Sequence, residues 1–311
     1  MAIRVVNINE NSTAVQEKAV RRSVTYVSFA CIIILAMQMG AGVLIDGIVD
    51  RNDTILLLLF LMISSVLTIL IPTFVCSQQQ GGWRKNMRKY KHRYNHLACT
   101  LMVIWGFGLC VVLNFLIGLL CQIMPWLGSH EAAYFSFDPM TVLLIFLTMA
   151  VVPAVCEEVA FRGIFCGMLV RGGEGFAAAV SSLLFALLHS GFSGMLFAFL
   201  AGMIFASVRK TSGRLLPCII IHFLNNAFSV SASMAYHIFS LDTYNTFLYT
   251  AVGISALMML IAALILAIGK VHLFRYRRRA CVLDTATKIT VSVGNPSLIL
   301  LMLLAVIQKI F

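Results

Sequence analysis

Long apolar runs separated by short polar connections dominate the chain, and they are too long and too uniform for strands. Eight stand out, at residues 24–45, 54–76, 97–124, 139–170, 175–190, 192–208, 215–236 and 245–274. Most reach the ~20 residues that cross a bilayer as a helix. None shows the two-residue alternation of a membrane barrel strand. The pattern predicts an all-α, polytopic membrane helix bundle of about eight transmembrane helices. The fourth run is long, and either a kink at Pro153 or a continuation along the membrane surface after Arg162 is expected. A ninth apolar run, 298–307, is short for a span and predicts an interfacial or packed terminal helix.

Composition agrees with this reading. Hydrophobic residues make up 60% of the 311 positions and charged residues 11%, against about 25% charged in a soluble domain. The polar first 22 residues precede a full-length apolar run, so the first span is expected to target and anchor without a cleaved signal peptide. The net charge of +11 does not point to nucleic acid, because the basic residues cluster beside apolar runs, as orientation signals do. Arg4, Lys18, Arg21 and Arg22 precede the first run, and Arg84, Lys85, Arg88, Lys89, Lys91 and Arg93 occupy the second connection. Arg209, Lys210 and Arg214 precede the seventh run, and Arg275, Arg277, Arg278 and Arg279 follow the eighth. The opposite side holds Asp46, Asp50, Asp53, Glu131, Asp138 and Asp242, with Arg51 its only strong base. Counting Arg162 inside, 22 of 23 Lys and Arg share one face, which predicts that both termini are cytoplasmic. Residues 125–127 and 134–137 read as an outer aromatic belt. The nine cysteines form no C-x-x-C pair and read as small packing residues. His130, His237 and His272 read as interfacial, and Met258-Met259 as packing.

Polar residues interrupt the second half of this apolar pattern. Glu157, Glu158 and Arg162 lie in the fourth run, His189 ends the fifth, and His222 and Asn226 lie in the seventh. Ionised groups at bilayer depth cost roughly 2.5–3.5 kcal/mol on insertion scales, so they are rare and mark function. The i,i+4 spacing puts Glu158 and Arg162 on one helical face, with Glu157 about 100° around, and likewise pairs His222 with Asn226. Glu157 lies 16 residues before Gly173 and His189 16 residues after it, which in an antiparallel hairpin places both at one depth, roughly 20 Å from the turn. A Glu, two His and an Asn are thus expected in one cytoplasm-facing cavity. Two chemistries remain open. A desolvated Glu can take a proton from water while His and Asn donors stabilise an oxyanion, which suits peptide hydrolysis. Alternatively, Glu157, His189 and His222 could hold a zinc ion with water as the fourth ligand.

These residues carry a resemblance. Glu157-Glu158-Val-Ala-Phe-Arg162 matches the E-E-x-x-x-R motif of the CPBP family of intramembrane proteases, followed here by Gly163. Phe185-Ala-Leu-Leu-His189 matches its F-x-x-x-H motif, and His222-Phe-Leu-Asn-Asn226 its H-x-x-x-N motif. The chain resembles this family, which includes type II CAAX prenyl endopeptidases (Rce1-like) and bacterial Abi-type proteins, over about residues 139–236. The resemblance implies Glu157 as general base and His189 as its helper in activating water. It implies His222 and Asn226 as the oxyanion hole, with Glu158 and Arg162 as a supporting ion pair. No cofactor is then expected, with zinc as the alternative. The implied organisation is a cytoplasmic tail at 1–23, accessory helices at 24–138, a catalytic core with the eighth helix at 139–274, and a basic tail with a short apolar helix at 275–311. The expected partners are the lipid bilayer and a membrane-associated peptide or protein. The expected location is the bacterial cytoplasmic membrane, where small peptides, leader segments or membrane proteins would replace prenylated substrates. The rival readings are a bacteriocin-immunity or scaffold protein without catalysis, and a proton-coupled transporter.

Overall fold

A computed structural model describes residues 2–49, 53–87, 94–127, 137–275 and 283–310. The expected belt residues 134–136 lie outside the described residues, as do Asp50, Arg51, Glu131, His130, Cys281 and the basic residues at 88–93 and 277–279. The helices are α1 (Ala2–Ile48), α2 (Thr54–Gln78), the short α3 (Gly82–Met87), α4 (His96–Ile123) and α5 (Pro139–Gly172). They continue as α6 (Glu174–Leu187), α7 (Phe192–Ser212), α8 (Leu216–Ile238), α9 (Leu241–Ile268), α10 (Thr285–Val293) and α11 (Pro296–Ile310). No strand occurs among the described residues. Seven of these helices are long and apolar enough to cross a membrane, or eight if the pair α10 and α11, bent by 62°, counts as one span. The protein is therefore a polytopic helical membrane bundle.

The helix starts follow from local chemistry. Asp53 accepts from the Leu56 N–H, Asn95 from Ala98 and Asp138 from Thr141, and Asp284 caps α10 through Thr287. Each satisfies a backbone donor that a helix start leaves without a partner. At the start of α10, the exposed Asp284 carboxylate sits below its ordinary range because the Thr287 hydroxyl and N–H donate to it.

The polar region 1–23 is helical and continuous with the first span: α1 runs unbroken for 47 residues, about 70 Å at ~1.5 Å per residue. No Gly or Pro occurs before Gly40, so nothing stops the helix, and its lower part packs Val20 against Leu283 and Val291. The expected fifth span is a helix of only 14 residues, about 21 Å and short of the ~30 Å hydrocarbon core. It stops because Gly191, at φ 67°, turns the chain into α7. At Pro153 the helix continues, with π-helical turns over Leu147–Val151 immediately before the missing N–H.

The basic connections do gather at one end of the bundle. Arg209 donates to Met87 O and Gly213 O, Lys210 donates to Arg275 O, and Arg214 reaches His96. Ser23 of α1 bonds Gln80 in the connection after α2. The terminal helix packs: Leu298, Leu301 and Ala305 are buried in the main apolar cluster, and Asn295 donates to Thr25 Oγ1. The eight described cysteines are free thiols, buried except Cys121. Leu257, Leu260, Leu264 and Ile268 of α9 are exposed, as a lipid-facing helix requires.

Close approach of helices sets the framework on both sides of the site. A Cβ on Gly108 of α4 would lie 2.5 Å from the Ser255 carbonyl oxygen of α9, and one on Gly167 of α5 would lie 2.3 Å from Asn86 O of α3. Both contacts are to backbone, which cannot swing aside, so small residues are required there, as in other membrane helix pairs. Gly108→Leu is expected to separate α4 from α9 and destabilise the bundle by about 1–3 kcal/mol or more. Thermal unfolding in detergent would register this as a lowered midpoint, and an unchanged midpoint would contradict the contact.

Candidate active site

The polar residues of α5 and α8 meet in the interior. Glu158 has no exposed surface, and Arg162 has none either. Arg162 Nη1 lies 3.0 Å from Glu158 Oε1, as the i,i+4 spacing predicts. The charge counted towards the inner side is thus held inside the bundle, on Glu158. Three rings surround its guanidinium: Phe185 at 4.2 Å, Phe205 at 5.1 Å and Phe161 at 5.9 Å. Such rings stabilise a desolvated cation. The ion pair is close but poorly aligned, since the guanidinium N–H groups and Glu158 Oε2 lack hydrogen-bond partners among the described residues.

His222 joins the two carboxylates. Its Nδ1 lies 3.0 Å from Glu158 Oε1, and its Nε2 lies 3.7 Å from Glu157 Oε2. A carboxylate paired with Arg only accepts, so Nδ1 carries the hydrogen and donates it to Glu158. The ring is held on its other side by stacking against Phe205, with centroids 5.3 Å apart. The two glutamates differ in access: the Glu157 side chain is 19% exposed and that of Glu158 is sealed. Of the two, only Glu157 is open to its surroundings.

His189 is half-buried in the turn after α6 rather than within a helix. Its Nδ1 lies 2.8 Å from Phe185 O, and its ring packs on Phe185 at 4.5 Å, while His222 contacts the same Phe185 ring at 5.9 Å. His189 falls within electrostatic range of Glu157, His222 and Arg162, but no direct hydrogen bond joins it to Glu157 among the described residues. Asn226 is half-buried one turn beyond His222, and its Oδ1 accepts from Asn225 Nδ2 at 3.3 Å. Asn225 in turn accepts from Asn114 of α4 at 3.3 Å. Neither Asn114 nor the Glu158–His222 contact was legible beforehand. Asn114 had one available signal, as a lone amide inside the apolar run 97–124.

No three His, Cys, Asp or Glu side chains among the described residues form a set that could hold a metal ion. Glu157, His189 and His222 therefore do not present the three-ligand geometry of a zinc site, and no step below is routed through a metal.

Fold and site together define a helical membrane protein with a buried carboxylate–histidine–amide centre. Residues 139–228 match the family model described as type II CAAX prenyl endopeptidase Rce1-like. The match covers less than a third of the chain, and it contains all six site residues from Glu157 to Asn226. Helices α1–α4 and α9–α11 lie outside the match. No curated protein and no solved structure matches the chain.

Because one partner of a buried ion pair leaves the other uncompensated, Arg162→Met is expected to cost about 3–5 kcal/mol of stability. Combining it with Glu158→Leu should recover much of that loss. Chemical unfolding of the two variants in detergent checks the pattern, and equal losses in single and double variants would contradict it.

Proposed function

We propose that the chain is an intramembrane endopeptidase that hydrolyses a peptide bond of a membrane-associated protein or peptide, with Glu157 as general base. The observation that carries this reading is the unequal pair of adjacent carboxylates. Glu158 is sealed and neutralised by Arg162, while Glu157 is partly open and faces His222 Nε2 at 3.7 Å.

In the proposed reaction Glu157 takes a proton from a water as its oxygen attacks the peptide carbonyl carbon. His189, beside Glu157, orients that water. The developing oxyanion is met by Asn226, whose Oδ1 is occupied by Asn225 and whose Nδ2 is left to donate. His222 can add a second donor when its ring is doubly protonated, with Nδ1–H on Glu158 and Nε2–H towards the oxyanion. Protonated Glu157 then returns its proton to the leaving amine as the C–N bond breaks, giving a carboxylic acid and an amine. The prenyl specificity in the family's description is not carried over. The clustering of basic connections at one end supports an orientation with both termini cytoplasmic, and we place the protein in a bacterial cytoplasmic membrane.

N-terminal mapping of peptides from host membranes and medium tests the reading, comparing the native chain with Glu157→Gln at matched levels. Termini dependent on the native protein should fall by about 10²-fold or more with the substitution. Identical maps from folded native and variant proteins would sink the proposal and leave an immunity or scaffold role.

A further inference from the structure

A cavity of about 370 Å³ lies between α4, α8 and α9. Its polar wall is made by Asn114, Gln122, Ser229, Tyr244, Asn245 and Tyr249, set among aliphatic and aromatic side chains. No Lys, Arg, Asp, Glu or His lines it among the described residues. On α8, Ser229 and Ala232 lie three and six residues beyond Asn226, so the cavity begins about 5–9 Å further from the basic end of the bundle. It is joined to the site by side chains: Asn114, in its wall, donates to Asn225, and Asn225 donates to Asn226.

The lining selects by chemistry. Amides, phenols and a hydroxyl offer donors and acceptors in similar number but no net charge. A phosphate or ammonium group would be desolvated there without a counter-ion, at a cost of several kcal/mol. A peptide segment unwound from its helix has the opposite problem, because each free N–H or C=O costs several kcal/mol in hydrocarbon and needs a neutral partner. The volume, near the lower end of ligand pockets, suits a few residues of extended chain rather than a whole helix.

We propose that this cavity is a substrate subsite that holds an uncharged, unwound segment of a membrane-inserted peptide on the side of the cut bond facing away from the basic end. This rests on the endopeptidase reading, and it names the substrate class as chains that continue into the membrane beyond the site. Gly118 lies in the cavity wall, and a Cβ there meets nothing within 4 Å, so Gly118→Leu fills the space without a clash at its first atom. Asn245→Leu removes one wall amide while keeping the number and branching of side-chain heavy atoms, which keeps the test open should Gly118→Leu fail to fold.

The test is binding without turnover. The full chain carrying Glu157→Gln is placed in nanodiscs of phosphatidylcholine and phosphatidylglycerol and titrated with a dansylated Leu/Ala peptide of about 20 residues containing a central Gly-Ser-Gly. Binding should weaken about tenfold with either added substitution and should resist excess hexadecanoic acid. Unchanged affinity in both variants, or no binding at all, overturns the subsite, and displacement by hexadecanoic acid reassigns the cavity to a lipid chain. The assay involves no cleavage, so it can fail while the Glu157-dependent termini persist, and it can succeed when they do not.

Discussion

Burying an ionised carboxylate costs several kcal/mol even after the protein relaxes, and Glu158 has no exposed surface. Its place in the bundle therefore depends on positive charge and hydrogen bonding being delivered to the same point. Arg162 brings the charge from the next turn of α5, and His222 brings an N–H from α8. The rings that enclose the guanidinium come from three helices, Phe161 from α5, Phe185 from α6 and Phe205 from α7. One carboxylate thus gathers side chains from four consecutive helices. The matched family domain spans these same helices, which is what a shared electrostatic centre would require.

The same arrangement explains how two adjacent glutamates come to serve one histidine. Neighbouring residues on an α-helix diverge by about 100°, so Glu157 and Glu158 cannot both point along one line. An imidazole has nitrogens on different edges, and His222 offers Nδ1 to Glu158 and Nε2 to Glu157. The π-helical turns that begin at Glu158 widen α5 here, a distortion common at functional sites. Stacking on Phe205 fixes the ring plane so that Nε2 faces the more open carboxylate.

Much of this was legible in the chain because the controlling physics is local. Hydropathy located the long helices, since an apolar run long enough to span a bilayer is written in consecutive residues. The Glu158–Arg162 pair followed from i,i+4 spacing. What was not legible depends on rotation and tilt between helices. Nothing in the sequence says that α8 turns His222 towards Glu158, or that Asn114, outside the matched domain, abuts Asn225. The length of α1 was missed because polarity, rather than the absence of Gly and Pro, was used to end it. His189 was placed by counting residues along a hairpin, and Gly191 ends that helix early.

In the proposed reading, sealing one carboxylate and leaving its neighbour open answers a constraint on any hydrolytic site in a membrane. A base must meet water, yet the helices holding it must stay packed where water is scarce. Glu158 meets the packing requirement, since its partners are all internal and its removal leaves Arg162 stranded. Glu157 is then free of structural duty and can remain partly open at 19% exposure. The amide chain from Asn226 through Asn225 to Asn114 extends the same logic to neutral groups. Each amide restrains the orientation of the next, so the free Nδ2 of Asn226, the donor in the proposed reaction, is set by a residue on α4. The buried ion pair lies in the core gathered by α5–α8, whereas the cavity beyond Asn226 is lined by neutral polar groups, a gradient that in the proposed reading favours backbone over charged side chains in whatever enters.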